Sequence, residues 1–258
     1  MIWTAHAHAA RDFIVGVLPY QGARALVVEH QKLAASLGQT LKRHVRVVTA
    51  RNARVFGQRM LAGDYDLALA PAHLARLAQA EGGWVPLARY LPDTPAYLLA
   101  ARDRAGEPLA KGAVIATPDR AMLLTLVAEG WIARHTRLKP SDYTVLETGG
   151  HNAAVQAVQQ GRADAAVSML AATRQVRQEH LDKVRIAHEL GPVPLLVFMA
   201  RGDIPPATRA RLQRTLLAYP APPPLHIAAV DPSALAAMNA YLPRTRELIL
   251  TTGRPNAH

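Results

Sequence analysis

Val47–Pro71 reads VVTARNARVFGQRMLAGDYDLALAP, and Val145–Met169 reads VLETGGHNAAVQAVQQGRADAAVSM. The two stretches follow one pattern: a strand-like run, a polar turn, an amphipathic helix, Gly-x-x-Asp, and an apolar strand. In the second, Ala154, Val155, Ala157 and Val158 recur at i, i+1, i+3 and i+4, the stripe of a helix buried on one side. Gly63 and Gly161 stand where a helix ends in a left-handed turn, at which a Cβ is costly. A pattern written twice decides the architecture before any single motif does.

Working outward, Phe13–Leu18 (FIVGVL) predicts a strand, Pro19-Tyr20-Gln21-Gly22 a turn and Ala23–Leu37 a helix. His44–Thr49 is then a strand, Ala53–Leu61 a helix and Leu67–Ala70 a strand. The order repeats from Ala113: AVIAT is a strand, Pro118-Asp119 opens a helix to about His135, and Tyr143–Leu146, His151–Gln160 and Ala165–Ser168 follow as strand, helix and strand. Each half is a βαβαβ unit, and its neighbouring strands are parallel because such a crossover needs the helix. Two Pro-bearing segments, 91–95 and 191–194, lie between strand-like runs and read as two chain crossings. The expected fold is therefore α/β, with two βαβ-type lobes of mostly parallel sheet joined by a two-strand hinge. Lobe 1 takes residues 11–93 and 195–258, lobe 2 takes 96–192, and the crossings lie near 91–96 and 190–195. Pro205–Leu217 and Ser233–Tyr241 read as helices returning to lobe 1, and Tyr219–Pro224 (YPAPPP) as a stiff linker between them.

Composition limits the function classes. At 258 residues the chain exceeds the roughly 100–150 residues of a typical domain, which agrees with two lobes. Half is apolar and 19% charged, the balance of a globular protein. Thirty Lys and Arg against nineteen Asp and Glu give a net +11, which suits an anionic ligand or an acidic surface. With no cysteine there is no disulfide, thiolate zinc site, iron–sulfur cluster or Cys nucleophile. No run reaches the roughly 18–20 apolar residues of a membrane span. The first residues, MIWTAHAHAARD, lack the basic and apolar regions of an intact signal peptide, although Ala-His-Ala-His-Ala resembles the small-residue end of one. His6 and His8 make no defined metal site, and neither a phosphate-binding Gly-Lys-Ser/Thr loop nor a Gly-x-Ser-x-Gly elbow is present. Aromatic residues at 5% and the arginines at 201, 209, 211 and 214, read as a solvated helix face, do not argue for nucleic acid.

The residues Val15-Gly16-Val17-Leu18-Pro19, Leu61-x-Gly63-x-Tyr65-Asp66 and His151-Asn152-Ala-Ala-Val155-x-x-Val158-x-x-Gly161-x-x-Asp164 carry a resemblance. The chain resembles the phosphate/phosphite/phosphonate-binding periplasmic solute-binding proteins of ABC transporters, over about Phe13 to Leu217. That resemblance implies a type 2 periplasmic-binding fold, a periplasmic location, no enzymatic activity and no cofactor. It also implies a small anionic solute and an ABC permease as partners, with a sensor kinase as the alternative receiver, and a monomer. In the family the His opening the second-lobe helix contacts the anion, and the matching residue is His151. Two departures stand out. The hydroxyl-rich turn of the family is here Thr117-Pro118-Asp119-Arg120-Ala121, with one hydroxyl, a proline lacking an amide donor and a carboxylate where an anion would sit. The family's Gly-Pro-x-x-Tyr is here Ala70-Pro71-Ala72-His73-Leu74.

Strand ends in open parallel sheets face a crevice, and helix amino termini pointing there attract anions. The candidate ligand residues are Tyr20, Asn52, His73, Thr117, Asp119, Arg120, His151 and Asn152. Each has a plainer reading beside it. His151 donates to an oxyanion or is a solvated turn residue, and Asn152 is a contact or a helix cap. Tyr20 closes over a ligand or packs its ring, and His73 is a ligand or a structural group. Arg120 grips an anion or pairs with Asp119, which in turn caps its own helix or points into the cleft.

Overall fold

Asp66 and Asp164, the aspartates that close the two copies of the repeat, do the same work in both halves. Asp66 Oδ2 accepts from the Ile14 amide at 2.8 Å, and the Asp66 amide donates to the Ile14 carbonyl at 2.8 Å. Asp164 Oδ2 accepts from Val114 N at 2.8 Å, and its own amide donates to the Val114 carbonyl at 2.8 Å. Each aspartate thus fastens the entrance of an apolar strand to the first strand of its βαβαβ unit. The preceding glycines take the left-handed conformation the pattern predicts, φ 78° at Gly63 and 67° at Gly161.

The computed structural model describes residues 11–104, 107, 109–169 and 176–251; His6, His8 and the Ala-His run lie outside them. In lobe 1, β1 (Phe13–Val17) is buried along its length between two parallel neighbours, β2 (Val45–Val48) and β3 (Leu67–Pro71). The sheet continues antiparallel through β10 (Leu196–Ala200), β4 (Val85–Leu91) and β11 (His226–Ala229). In lobe 2, β6 (Ala113–Thr117) lies between parallel β7 (Tyr143–Glu147) and β8 (Ala165–Met169), followed antiparallel by β5 (Thr94–Ala101) and β9 (Val184–Val193). The repeat supplies the parallel centre of each sheet and the crossing segments supply the antiparallel returns, so both sheets are mixed. The chain passes from one sheet to the other at 91–94 and returns at 193–196.

Helices α1 (Ala23–Leu41), α2 (Ala53–Leu61) and α3 (Ala72–Gly82) belong to lobe 1, and α4 (Leu123–His135), α5 (His151–Gln159) and α6 (Gln178–Leu181) to lobe 2. The last segment returns to lobe 1 as α7 (Pro206–Leu217), which packs on α1, then α8 (Pro232–Ala236), a 3-10 turn (Ala237–Tyr241) and α9 (Leu242–Leu250) against α2 and α3. The Ser233–Tyr241 helix expected from the sequence is thus a broken helix. Strand β11, at four residues, is too short to show a period.

Gly16 in the Val-Gly-Val motif has a packing reason. A Cβ built there would stand 2.5 Å from ring carbons of Tyr65, which is fully buried and stacks on Phe56 at 5.4 Å between centroids. The lobes are also in direct contact. One buried apolar cluster runs from Leu18 and Leu74 in lobe 1 through Val193 at the crossing to Leu98, Leu123 and Leu124 in lobe 2.

Candidate functional site

The cleft-facing end of β6 forms a turn. Asp119 Oδ1 accepts from the Ala121 amide at 2.7 Å, and the Met122 amide donates to the Asp119 carbonyl at 3.2 Å. This turn delays α4, which opens at Leu123 rather than at Pro118. It also sends the other carboxylate oxygen across the cleft, where Asp119 Oδ2 accepts from Ala53 N at 2.9 Å, at the amino terminus of α2. One residue earlier, Asn52 caps its own helix by accepting from Val55 N at 2.9 Å.

A second bond closes the same seam. His73, in the first turn of α3, donates through Nε2 to the Ala121 carbonyl at 2.9 Å. Its Nδ1 is buried without a hydrogen-bond partner, and burial lowers the imidazole pKa to about 4. On the outer side, Arg244 of α9 and Glu129 of α4 approach to 3.7 Å.

Beside this seam a cavity of about 320 Å³ lies between the lobes, partly open to solvent. Lobe 1 contributes Leu18, Tyr20 and His30; lobe 2 contributes Met122, Leu123, Leu124 and His151; Val193, Pro194 and Leu195 close it at the crossing. None of its lining residues, among those described, is Lys or Arg. Tyr20 Oη is hydrogen-bonded to His30 Nε2 at 3.1 Å. Burial raises the tyrosine pKa and lowers that of the histidine. His151 is only 8% exposed, its Nδ1 has no partner, and burial lowers its pKa to about 4. It opens α5 directly after Gly149, at φ 79°, and Gly150, so the backbone bends sharply enough to aim the helix terminus at the cleft. At neutral pH the chamber therefore holds neutral imidazoles and a neutral phenol, with the exposed Glu29 also on its lining.

The eight candidate residues divide into three groups. Tyr20 and His151 line the cavity. His73 and Asp119 build the seam between lobes, Asn52 caps α2 beside it, and Thr117, fully buried behind it, pairs its hydroxyl with that of Thr125. Arg120 and Asn152 turn toward their own lobe: Arg120 donates to the Val145 carbonyl at 2.8 Å, and Asn152 Oδ1 accepts from Arg177 N at 3.2 Å. Sequence reasoning missed His30 and the apolar lining. A signal for the lining was present, because Leu123-Leu124-Thr125-Leu126-Val127-Ala128 is apolar on every face, and such a helix must be covered all round. Among the described residues no group of three or more His, Asp or Glu is placed to hold a metal, and no helix is long and apolar enough to cross a membrane.

The histidines give a pH prediction. His73 and His151 stay neutral in the fold but take up a proton when unfolded, near pH 6.5, so the unfolded state binds more protons between about pH 6.5 and 4. Stability is full above pH 6.5, falls as the pH drops toward 4, and levels off below. The thermal midpoint should fall by roughly 5–10 °C between pH 7 and pH 4.5, and His73→Gln should flatten part of that slope.

Comparison with known proteins places this geometry. The profile of the family described as ABC transporter, phosphonate, periplasmic substrate-binding protein matches residues 15–239. The chain belongs to that family. Its members are substrate-binding proteins of transporters, not enzymes. Among curated protein sequences nothing matches it. Similar solved structures include PhnD1 from Prochlorococcus marinus in complex with methylphosphonate, at 12% identity and a TM-score of 0.76 over 92% of this chain and 98% of that one. The binding-protein component of an ABC phosphonate transporter from Pseudomonas aeruginosa is similar at 14% identity and a TM-score of 0.73, over 95% and 90%. The periplasmic aliphatic sulphonate binding protein SsuA from Escherichia coli is similar at 18% and 0.59, over 95% and 94%. At these identities the likeness establishes the fold of the phosphonate-binding family, and the cavity lies where its two lobes meet.

Proposed function

We propose that this member of the family works outside the cytoplasm, capturing a phosphonate-like anion between its lobes and presenting the closed form to an ABC permease. The observation that carries the reading is His151. It is a buried imidazole with an unpartnered nitrogen at the amino terminus of α5, opening onto the interlobe cavity. The amides of His151, Asn152 and Ala153 precede the first intrahelical bond of α5, from Ala154 N to the Gly150 carbonyl, and the helix end carries about half a positive charge. An anionic head bound there would accept from those amides and from the imidazole. Charge-assisted bonds of this kind are about twice as strong as neutral ones. The two crossings supply the hinge, and lobe closure then couples occupancy to the surface offered to the permease.

Titration calorimetry tests this. Phenylphosphonate should bind with one-site stoichiometry and a dissociation constant well below the millimolar range. Absence of heat from every phosphonate and sulfonate in a panel would overturn the reading.

A further inference from the structure

Which phosphonate-like molecule fits is decided by the lobe opposite His151, and the argument rests on the reading above. A helix amino terminus on lobe 1, that of α2, also faces the cleft. Its Ala53 amide donates to Asp119 Oδ2 at 2.9 Å and its Val55 amide to Asn52 Oδ1 at 2.9 Å. A negative group placed at the positive end of a helix stabilises it. Here that group is a carboxylate of lobe 2, fixed in place by the Ala121 amide at 2.7 Å. It is a resident anion. A ligand oxyanion reaching for the same helix end would meet a like charge and find that amide already bonded.

What remains open to a ligand is the chamber, and its walls are chosen for something other than a bare oxyanion. Leu18, Met122, Leu123, Leu124, Met169 and Leu196 supply most of the surface, and none of the lining residues, among those described, is a Lys or Arg. About 320 Å³ lies within the range, about 300–1,000 Å³, of sites that enclose small organic molecules. A phosphate or methylphosphonate in that space would lose its hydration with only one helix end and neutral imidazoles in return, and Glu29 lines the same space. An anion with a large apolar body loses the same hydration at its head but removes the body from water as well.

We propose that this protein selects phosphonate-like anions bearing a bulky apolar substituent and discriminates against inorganic phosphate and methylphosphonate, because Asp119 holds the anion position on lobe 1 and the remaining space is apolar. The head sits at α5 and His151, and the substituent fills the chamber between α4 and the crossing.

The test is a calorimetric comparison of phenylphosphonate, methylphosphonate and inorganic phosphate at pH 7.5, with the neutral N-phenyl-1-naphthylamine followed by fluorescence. It uses the whole chain and two variants, Asp119→Ser and the volume-conserving Asp119→Asn, each checked for native circular dichroism. Phenylphosphonate should bind at least about 10-fold more tightly than the two small anions, a gap of 1.4 kcal/mol. Removing the Asp119 charge should raise small-anion affinity about 10-fold and narrow that gap. Small anions binding the parent as tightly as phenylphosphonate would overturn the selectivity while leaving the proposed function standing. A gap that neither Asp119 variant narrows would overturn the role of Asp119. Saturable binding of the neutral probe with silence from all three anions would overturn the proposed function, and the selectivity with it.

Discussion

A His151→Ala variant will bind phenylphosphonate about 10–100-fold more weakly than the parent protein, the loss that accompanies removal of a hydrogen bond to a charged group. The imidazole is buried, opens α5 and has a nitrogen without a protein partner, so nothing else in the chain compensates for it. Its truncation leaves the helix amides in place, and residual binding should come from them. The effect should appear in the dissociation rate, since the residue acts after the anion has arrived. Replacement by Gln, which keeps a donor but not the ring, should lose less. Stability should change little or rise below pH 6, because a group that resists protonation has been removed. An unaltered dissociation constant in a folded His151→Ala protein would remove the imidazole from the site.

The second large effect concerns stability. Asp66→Ala should cost about 3–5 kcal/mol, the range for breaking a buried ion pair by removing one partner. Asp66 has a side-chain exposure of 3%, and its carboxylate meets Arg11 at 2.6 Å, Arg201 at 3.0 Å and the Ile14 amide at 2.8 Å. Alanine would leave the buried Ile14 amide unsatisfied and Arg11 without its carboxylate, while Arg201 would lose one of its two carboxylates and keep Asp203 at 2.7 Å. Arg11 is largely exposed, so most of the loss should come from the amide. The repeat supplies an internal control. Asp164 makes the same amide bond to Val114, but its side chain is 35% exposed and its arginine, Arg104, is exposed too. Asp164→Ala should therefore cost about 1–2 kcal/mol, nearer the price of one lost hydrogen bond. Urea unfolding of both variants measures the difference, and equal losses would show that burial is not what separates them.

Much of this architecture was legible because it was written in local patterns. The Gly-x-x-Asp steps at 63–66 and 161–164 announced the parallel centres of both sheets, since the left-handed glycine is set by its own helix end and the aspartate follows it at a fixed spacing, even though the amides it fastens lie 52 and 50 residues back. His151 could be picked out because it sits at a fixed place in that pattern. Asp119 was visible as an oddity but its partner was not. The bond to Ala53 joins residues far apart in the chain and exists only once two lobes are placed against each other. Arg120 shows the opposite limit. A guanidinium on a long stem reaches whichever carbonyl lies nearby, and here that is Val145 of the adjacent strand. The chamber was hidden for a third reason: its walls are ordinary leucines and methionines, the same residues that fill a core, and only their meeting across a gap distinguishes them.

The bonds Asp119–Ala53 and His73–Ala121 come from the polypeptide itself, so the shut arrangement has adhesion of its own before any solute arrives. Part of the work of bringing the halves together is therefore done by the polypeptide, and less of a solute's binding energy is consumed in doing it.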